Sequence, residues 1–242
     1  APNFQGYLEN FRLIINGIVD KNFTGFRSAF QWSVGPTLKD GGISDIMLFT
    51  IYPLDNSTTL FGEFGIYSNG SQLGVYLTMN WPSTFPSFSC SNNFSSSNTS
   101  VTCFNANYTL VSNAIYFLDV EIANDTINGY ISEPQDDPTA IGNSSLPRNL
   151  IAEVKWSSGL KSIIPQAYSV SNNHGSCSNT SEITTFNYAP ESYNNLERIT
   201  NTYNSMYTVL NYMCAPENTI AITDWKEKIG IYISKPSIPT EN

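Results

Sequence analysis

Aromatic and β-branched residues recur in short runs along the chain, separated by turns rich in Asp, Asn, Ser and Gly. Three of these runs follow one another closely enough to form a meander of adjacent strands. Six more follow at the count and spacing of a sandwich or jelly roll rather than of alternating strands and helices. The pattern therefore predicts a mainly β fold. The predicted strands are 46–52, 60–67, 73–79, 101–111, 114–122, 127–131, 150–156, 183–188 and 229–233.

One segment, residues 191–213, departs from the strand pattern. It contains neither Gly nor Pro, and its apolar residues recur at three- and four-residue steps, which predicts one amphipathic helix. Its Asn and Thr residues are poor helix formers, so a strand over 207–210 is the alternative. The apolar residues of this spacing are Leu196, Ile199, Tyr203, Met206, Leu210 and Met213.

The N-terminal segment has the period of a strand, because apolar residues and one Gly alternate with mostly polar ones. Burying its four large apolar side chains would contribute roughly 6 to 12 kcal/mol, at about 1.5 to 3 kcal/mol each. Such a strand pairs either within its own sheet or with the sheet of another molecule. The chain then divides into a tail, 1–20, and one β-sandwich domain, 21–242. The alternating series is Phe11, Leu13, Ile15, Gly17 and Val19.

Charge and hydropathy exclude several classes of partner. Charged residues make up only 13% of the chain, about half of the usual share. The formal net charge is −9, and the 11 Lys and Arg residues are scattered singly, so no basic surface for nucleic acid or anionic lipid is expected. No apolar run approaches the length of a membrane span. Because the chain begins without Met, we expect an exported product whose signal has been removed.

Nine Asn-X-Ser/Thr triplets are potential N-glycosylation sites, which would place the surface outside a cell. An Asn-, Ser- and Thr-rich composition also produces such triplets by chance. Covalent N-glycans are the only non-protein groups that we expect, with no cofactor and no metal. The acceptor positions are Asn22, Asn56, Asn69, Asn93, Asn98, Asn107, Asn124, Asn143 and Asn179.

The four cysteines fit disulfides better than a metal site, because no C-x-x-C pair occurs. Four cysteines allow three pairings, with buried free thiols as the alternative. A preference for local pairing favours Cys90 with Cys103 and Cys177 with Cys214. Bridges of this kind are typical of exported proteins.

Candidate catalytic groups are few. Asp119 and Glu121 lie two apart on a predicted strand and so share one face, an arrangement of paired carboxylates that glycosidases use. Glu63 and Glu153 lie on other strands. The only histidine, His174, is predicted in a solvated loop and cannot form a multi-histidine metal site. For Trp81, Trp156 and Trp225, core packing is the expected role, with sugar stacking as the alternative.

The alternating segment Phe11–Val19 with its central Gly17, the Tyr-, Asn-, Ser- and Thr-rich body and the many acceptor triplets resemble subunits of the archaeal surface filament called the thread. The resemblance implies an immunoglobulin-like head and head-to-tail joining by donor-strand complementation, as in bacterial type I pilins. It implies that Phe11, Leu13, Ile15 and Val19 fill pockets of a neighbour, and that Gly17 marks close backbone approach. The helix-like segment 191–213 departs from that pattern.

These observations lead to one functional expectation and one alternative. We expect a non-enzymatic subunit of a glycosylated, extracellular filament at the cell surface, with other copies of itself as partners. Contacts with cell surfaces or glycans would serve adhesion, contact between cells or biofilm formation. The alternative is a secreted carbohydrate-active enzyme, or a lectin, on the Asp119 and Glu121 face.

Overall fold

The described part of the chain folds mainly into β strands, as its hydrophobic pattern predicts. The only helix among the described residues is a short 3-10 helix, Pro138–Gly142. The computed structural model describes residues 7–16, 23–32, 42–55, 59–68, 73–81, 87–91, 93–105, 110–111, 113–175, 183–194, 197–199, 205–211, 219–225 and 228–235.

The strands in chain order are β1 (Tyr7–Asn16), β2 (Gly25–Trp32), β3 (Gly42–Pro53), β4 (Leu60–Ser68), β5 (Leu73–Asn80), β6 (Ser87–Cys90), β7 (Asn93–Ser96), β8 (Ser100–Asn105), β9 (Ile115–Ala123), β10 (Thr126–Ser132), β11 (Arg148–Lys155), β12 (Leu160–Gly175), β13 (Ile183–Asn194), β14 (Glu197–Ile199), β15 (Ser205–Asn211), β16 (Thr219–Trp225) and β17 (Lys228–Lys235).

Two antiparallel sheets form the architecture. Sheet A has eight strands in the order β15-β1-β12-β3-β4-β5-β8-β7. Sheet B follows the order β16-β17-β13-β2-β9-β10-β11-β6, and β14 pairs with β13 beside this path. Residues of both sheets share one buried core, so the fold is a β-sandwich.

The core follows from the two-residue period of the strands. On β2, Phe26 and Phe30 enter the shared core, and on β9 Leu118 does the same. From sheet A, Phe64 and Leu77 meet them, and all five side chains are at most 1% exposed. The alternate residues of β2 and β9 therefore face away from the core, where they form a second, outer surface.

A connection covers part of that outer surface of sheet B. The chain between β10 and β11 carries the 3-10 helix, whose N-cap Asp137 accepts a hydrogen bond from the Thr139 N–H (2.9 Å). Ile141 and Leu146 of this connection pack on Ala29 of β2 and Phe117 of β9 in a small apolar cluster. Where this connection packs, β2 and β9 are therefore covered on both faces, by the shared core on one and by the small cluster on the other.

Strand β1 lies inside sheet A, not at its edge. It pairs antiparallel with β12 on one side and with β15 on the other. Its register with β15 runs without interruption from Asn10 opposite Asn211 to Asn16 opposite Ser205. Among the described strands, β15 has no sheet partner except β1.

The helix expected within residues 191–213 is wrong. That part of the chain contains the end of β13, then β14 and β15. The alternative strand over 207–210 is confirmed, because β15 spans it and pairs with β1. Aromatic and β-branched residues here favour a strand, and tertiary pairing overrides the apolar spacing.

Two long strands were absent from the sequence prediction. Strand β12 contains Pro165, which lies where the register with β3 shifts, so the missing N–H falls at a bulge. The second half of β12 is polar, and it includes His174, which pairs with Leu8 and Ile43. The prediction of a loop for His174 is therefore wrong. Strand β2 was missed because Arg27 and Ser28 interrupt its apolar residues.

No helix in the described part of the chain has the length and apolar character needed to cross a membrane.

A disulfide joins the two sheets at one side of the sandwich. Cys90 on β6 of sheet B bonds Cys103 on β8 of sheet A, as predicted. Phe88 and Phe94 pack edge to face beside it, with ring centroids 4.9 Å apart. The other predicted pair, Cys177 with Cys214, lies outside the described residues.

Replacing both Cys90 and Cys103 by Ala should lower the free energy of unfolding by about 2 to 4 kcal/mol, because the open chain gains conformational freedom when unfolded. Guanidinium denaturation measures the change. Ser91→Ala, an exposed neighbour, is the matched control and should stay within about 0.5 kcal/mol of the parent. A double variant as stable as the control would contradict the prediction.

Candidate functional site

Four charged side chains meet on the outer face of sheet B. Asp119 and Glu121 share this face of β9, as their spacing predicts. Arg27 stands directly opposite Asp119 in the register of β2 with β9. Arg148, at the start of β11, reaches across from two strands away. These four side chains form what we call the charge cluster.

The Asp119 carboxylate is held by both arginines. Arg27 donates from Nε to Oδ1 (2.5 Å) and from Nη2 to Oδ2 (2.7 Å), which is a two-bond guanidinium–carboxylate pair. Arg148 Nη1 donates to Asp119 Oδ2 (2.8 Å) and to Glu121 Oε1 (2.5 Å). Both oxygens of Asp119 are therefore occupied, and Arg148 links the two carboxylates.

Burial makes this pairing essential, since Arg27 is 3% exposed and Asp119 is 2% exposed. An unpaired charge at such a site would cost several kcal/mol. Arg27 uses its remaining amino group, Nη1, to donate to the carbonyls of Ile141 (3.3 Å) and Asn143 (2.8 Å). The charge cluster thereby fastens the connection with the 3-10 helix to the sheet.

Tyr193 on β13 closes the charge cluster from the other side. Its hydroxyl donates to Glu121 Oε1 (2.9 Å), and its ring lies across Gly25 of β2, where any Cβ would collide with it. Burial, followed by the negative charges of Asp119 and Glu121, raises the pKa of the Tyr193 phenol. The phenol therefore stays protonated as a donor.

Arg148 is fixed by an aromatic ring as well as by carboxylates. Its guanidinium lies 3.8 Å from the centroid of the Tyr130 ring. Burial acts to lower the pKa of Arg148, but hydrogen bonds to Glu121 and Asp119 outweigh it and raise the pKa above its ordinary value. Arg148 remains a cation throughout the physiological range.

A depression of about 870 Å³ opens beside the charge cluster, and we call it the cavity. Glu121, Arg148 and Tyr193 line one side of it. The other side is formed mainly by the β9–β10 and β11–β12 turns with the strand residues that flank them, Ala123–Asp125 and Ser157–Lys161, and by Leu54. Its volume lies within the range of roughly 300 to 1,000 Å³ that is typical of small-molecule sites.

The two turns are locked together by backbone hydrogen bonds. The Trp156 N–H donates to the Asp125 carbonyl (2.7 Å), and the Leu160 N–H donates to the Asn124 carbonyl (2.9 Å). Gly159 has a φ of 84°, which a residue with a side chain rarely adopts. The walls of the cavity are consequently set by the sheet, not by independent loops.

Asp119 is 2% exposed and does not line the cavity. Of the two carboxylates, only Glu121 lines the cavity. Glu63 lies on β4 of the opposite sheet, and Glu153 is exposed on β11. Among the described residues, no group of three or more His, Cys, Asp or Glu side chains is arranged to hold a metal ion.

The predicted donor residues are only partly described. Phe11, Leu13 and Ile15 lie on β1, within sheet A of their own chain. Gly17 and Val19 lie outside the described residues. Donation of these residues to a neighbour therefore stays a prediction.

Three of the nine acceptor asparagines have described side chains, and all three are exposed: Asn98, Asn124 and Asn143. Asn124 also lines the cavity. Asn93 lies on β7, whereas the remaining five fall outside the described residues: Asn22, Asn56, Asn69, Asn107 and Asn179.

Two of the tryptophans belong to the core, as expected. Trp81 and Trp156 are 4% and 7% exposed and pack in the shared cluster. Trp81 also donates from Nε1 to the Asn98 carbonyl (3.0 Å). Trp225 ends β16.

Neither family models nor curated proteins match this chain.

Arg27→Met should lower the free energy of unfolding by about 3 to 5 kcal/mol, because it leaves the buried Asp119 without its two-bond partner. Chemical denaturation measures the loss. The control is Lys155→Met, which breaks an exposed ion pair with Asp125 (3.5 Å). That control should change stability by no more than about 1 kcal/mol. Equal effects in the two variants would contradict a cluster held by buried pairing.

In Tyr193→Phe, the free energy of unfolding should decrease less steeply with rising pH above about pH 10 than in the parent protein. The pKa of Tyr193 is raised in the fold, so the unfolded chain loses this proton first once pH passes about 10. Stability is then lost as pH rises, by up to about 1.4 kcal/mol per pH unit for one proton. Urea titrations between pH 8 and 11 should show a shallower slope in the variant. Identical slopes would show that Tyr193 ionises equally in both states.

Proposed function

We propose that the protein is a non-catalytic structural subunit of a glycosylated extracellular filament, joined to the next subunit by exchange of β1. One observation carries the proposal. β1 is the first strand of the described chain, and it completes sheet A by pairing on both sides, with β12 and with β15.

β1 joins sheet A through two backbone ladders, one with β12 and one with β15, so an equivalent strand of another copy can form both of them. The groove between β12 and β15 selects a strand through backbone hydrogen bonds and register, and every copy of the chain offers the same strand. β1 of a second copy can therefore form the same ladder as β1 of the first. Self-pairing and exchange of β1 differ only in whether the connection between β1 and β2 stays within one subunit or crosses to the next.

The groove cannot remain empty. Without β1, β15 would lose its ladder partner among the described strands, and β12 would present an open edge in the middle of a sheet. Open edges of this kind promote aggregation. Each head then requires one β1, supplied either by itself or by a neighbour.

Exchange between copies produces a polymer rather than a closed dimer when each subunit gives to one neighbour and receives from another. The contact is heterologous, since the donated strand and the receiving groove are different surfaces. Such contacts grow into an open filament if rotation does not close a ring.

Two features of the surface support an extracellular setting. The Cys90–Cys103 disulfide suits an oxidising compartment, and the acceptor asparagines with described side chains are exposed. Glycans at such positions would hydrate a surface that carries few charges and would hinder pairing of strand edges.

The alternative, a secreted carbohydrate-active enzyme or lectin on the Asp119 and Glu121 face, has one supporting feature, which is the cavity beside Glu121. Hydrolysis with this pair would need both carboxylates within reach of a sugar. Both Asp119 oxygens instead accept hydrogen bonds from Arg27 and Arg148. That arrangement supports a structural use of the charge cluster.

A cysteine pair across β1 and β15 distinguishes exchange from self-pairing. Asn10 lies opposite Asn211, so Asn10→Cys with Asn211→Cys should oxidise to a disulfide wherever β1 sits in its groove. Exchange predicts a ladder of multiples of the 26.8 kDa chain on a non-reducing denaturing gel. The protein should be produced without sugars, so that mobility reports chain number alone.

The matched control is Thr219→Cys with Ser234→Cys, a pair across the β16 and β17 hairpin. A hairpin pair closes within one chain, so this control should give cross-linked monomer only. Cross-linked monomer alone from the Asn10 and Asn211 pair would refute strand exchange.

A further inference from the structure

We propose that the cavity is an intramolecular saccharide-binding site that receives the glycan attached to Asn124 of the same chain. The inference rests on the glycoprotein part of the proposed function and is independent of strand exchange. It adds a ligand class, an oligosaccharide, and a structural role for the glycan at one of the nine candidate positions.

The position of Asn124 supports this assignment. Asn124 is exposed, belongs to the triplet Asn124-Asp125-Thr126, and itself lines the cavity. A glycan on its side-chain nitrogen would therefore begin at the rim. Asn98 and Asn143 are also exposed, but neither lines the cavity.

The backbone holds Asn124 in a fixed direction. Its φ is 56°, a conformation that Asn tolerates better than most residues, and its carbonyl accepts a hydrogen bond from the Leu160 N–H (2.9 Å). The first sugar would consequently leave from a rigid turn rather than from a mobile loop. A fixed point of attachment lowers the entropy lost when the following sugars settle on the protein.

The lining suits sugar hydroxyl groups. Glu121 offers a carboxylate, Arg148 a guanidinium, and Ser157 and Ser158 offer exposed hydroxyls. Leu54, 58% exposed at the same cavity, supplies an apolar surface for the C–H face of a sugar ring. Because the glycan is tethered to the rim, its effective concentration at the cavity is high, so weak contacts suffice.

The test compares variants that remove one acceptor each. Asn124→Gly removes the sugar and keeps the positive φ, because Gly adopts it without strain. Asn98→Gly is the matched control at an exposed acceptor away from the cavity. Each variant and the parent are produced in a glycosylating host and in a bacterial host that adds no sugar, and melting temperatures are measured for all six proteins.

We expect Asn124→Gly to lower the melting temperature by about 2 to 4 °C more in the glycosylated form than in the sugar-free form, as for loss of about 1 kcal/mol. Asn98→Gly should give the same change in both forms. Equal changes for Asn124→Gly in both forms would overturn the inference. So would glycopeptide mass spectrometry that finds Asn124 unmodified.

A second measurement does not depend on stability. An endoglycosidase acting on the native parent should release the Asn124 glycan about tenfold more slowly than the Asn98 glycan if it is docked nine-tenths of the time. Denaturation should make the two rates equal. Equal rates in the native protein would also overturn the inference.

The outcomes separate this inference from the proposed function. If the Asn124 tests fail but sugars are found at other positions, the proposal of a glycosylated filament still stands. Cross-linking of the Asn10→Cys and Asn211→Cys variant tests strand exchange on sugar-free protein. The result of that test and the result at Asn124 are therefore independent of each other.

Discussion

The pairing of β1 with β12 and β15 is the constraint on which sheet A depends. A strand in the interior of a sheet satisfies the backbone groups of both neighbours, and here one neighbour, β15, has no other sheet partner in the described chain. β1 joins the rest of sheet A through these two ladders, and the proposed strand exchange would supply the same two ladders from another copy. This pairing completes the sandwich within one chain, and it is the contact that the proposed polymer would repeat between chains.

Sheet B depends on a different interaction, the buried pairing of Arg27 and Arg148 with Asp119 and Glu121. Its core face is apolar, whereas its outer face carries charges that only complete pairing makes tolerable. Arg27 connects this pairing to the segment that covers the sheet. The cavity lies beside Arg148, between the charge cluster and the β9–β10 and β11–β12 turns. Backbone hydrogen bonds between these turns hold its walls in place.

Much of this fold is predictable from local pattern, because strands with two-residue alternation and short turns carry their own signal. All nine predicted strands correspond to strands of the structure, although 101–111 is described as a strand only up to Asn105. The failures occur where long-range pairing decides. Strand β15 has helical spacing but finds a partner in β1, and β12 tolerates Pro165 at a bulge.

The candidate site was predictable only in part, for the same reason. Two carboxylates on one face follow from spacing alone, so Asp119 and Glu121 could be placed together. Their arginine partners could not be predicted in the same way. Arg27 and Asp119 are 92 residues apart and meet only through the register of β2 with β9. The local signal of a partner is a single Arg among the apolar residues of a strand, because an Arg that becomes buried there needs an acidic partner.

Strand exchange is tested most directly by an electron cryomicroscopy map of the purified protein, resolved well enough to trace the connection between β1 and β2. Strand exchange predicts filaments in which β1 lies between β12 and β15 of one subunit and continues into β2 of the adjacent subunit. A map in which that connection returns to the same head, in single molecules or in any assembly, would contradict it.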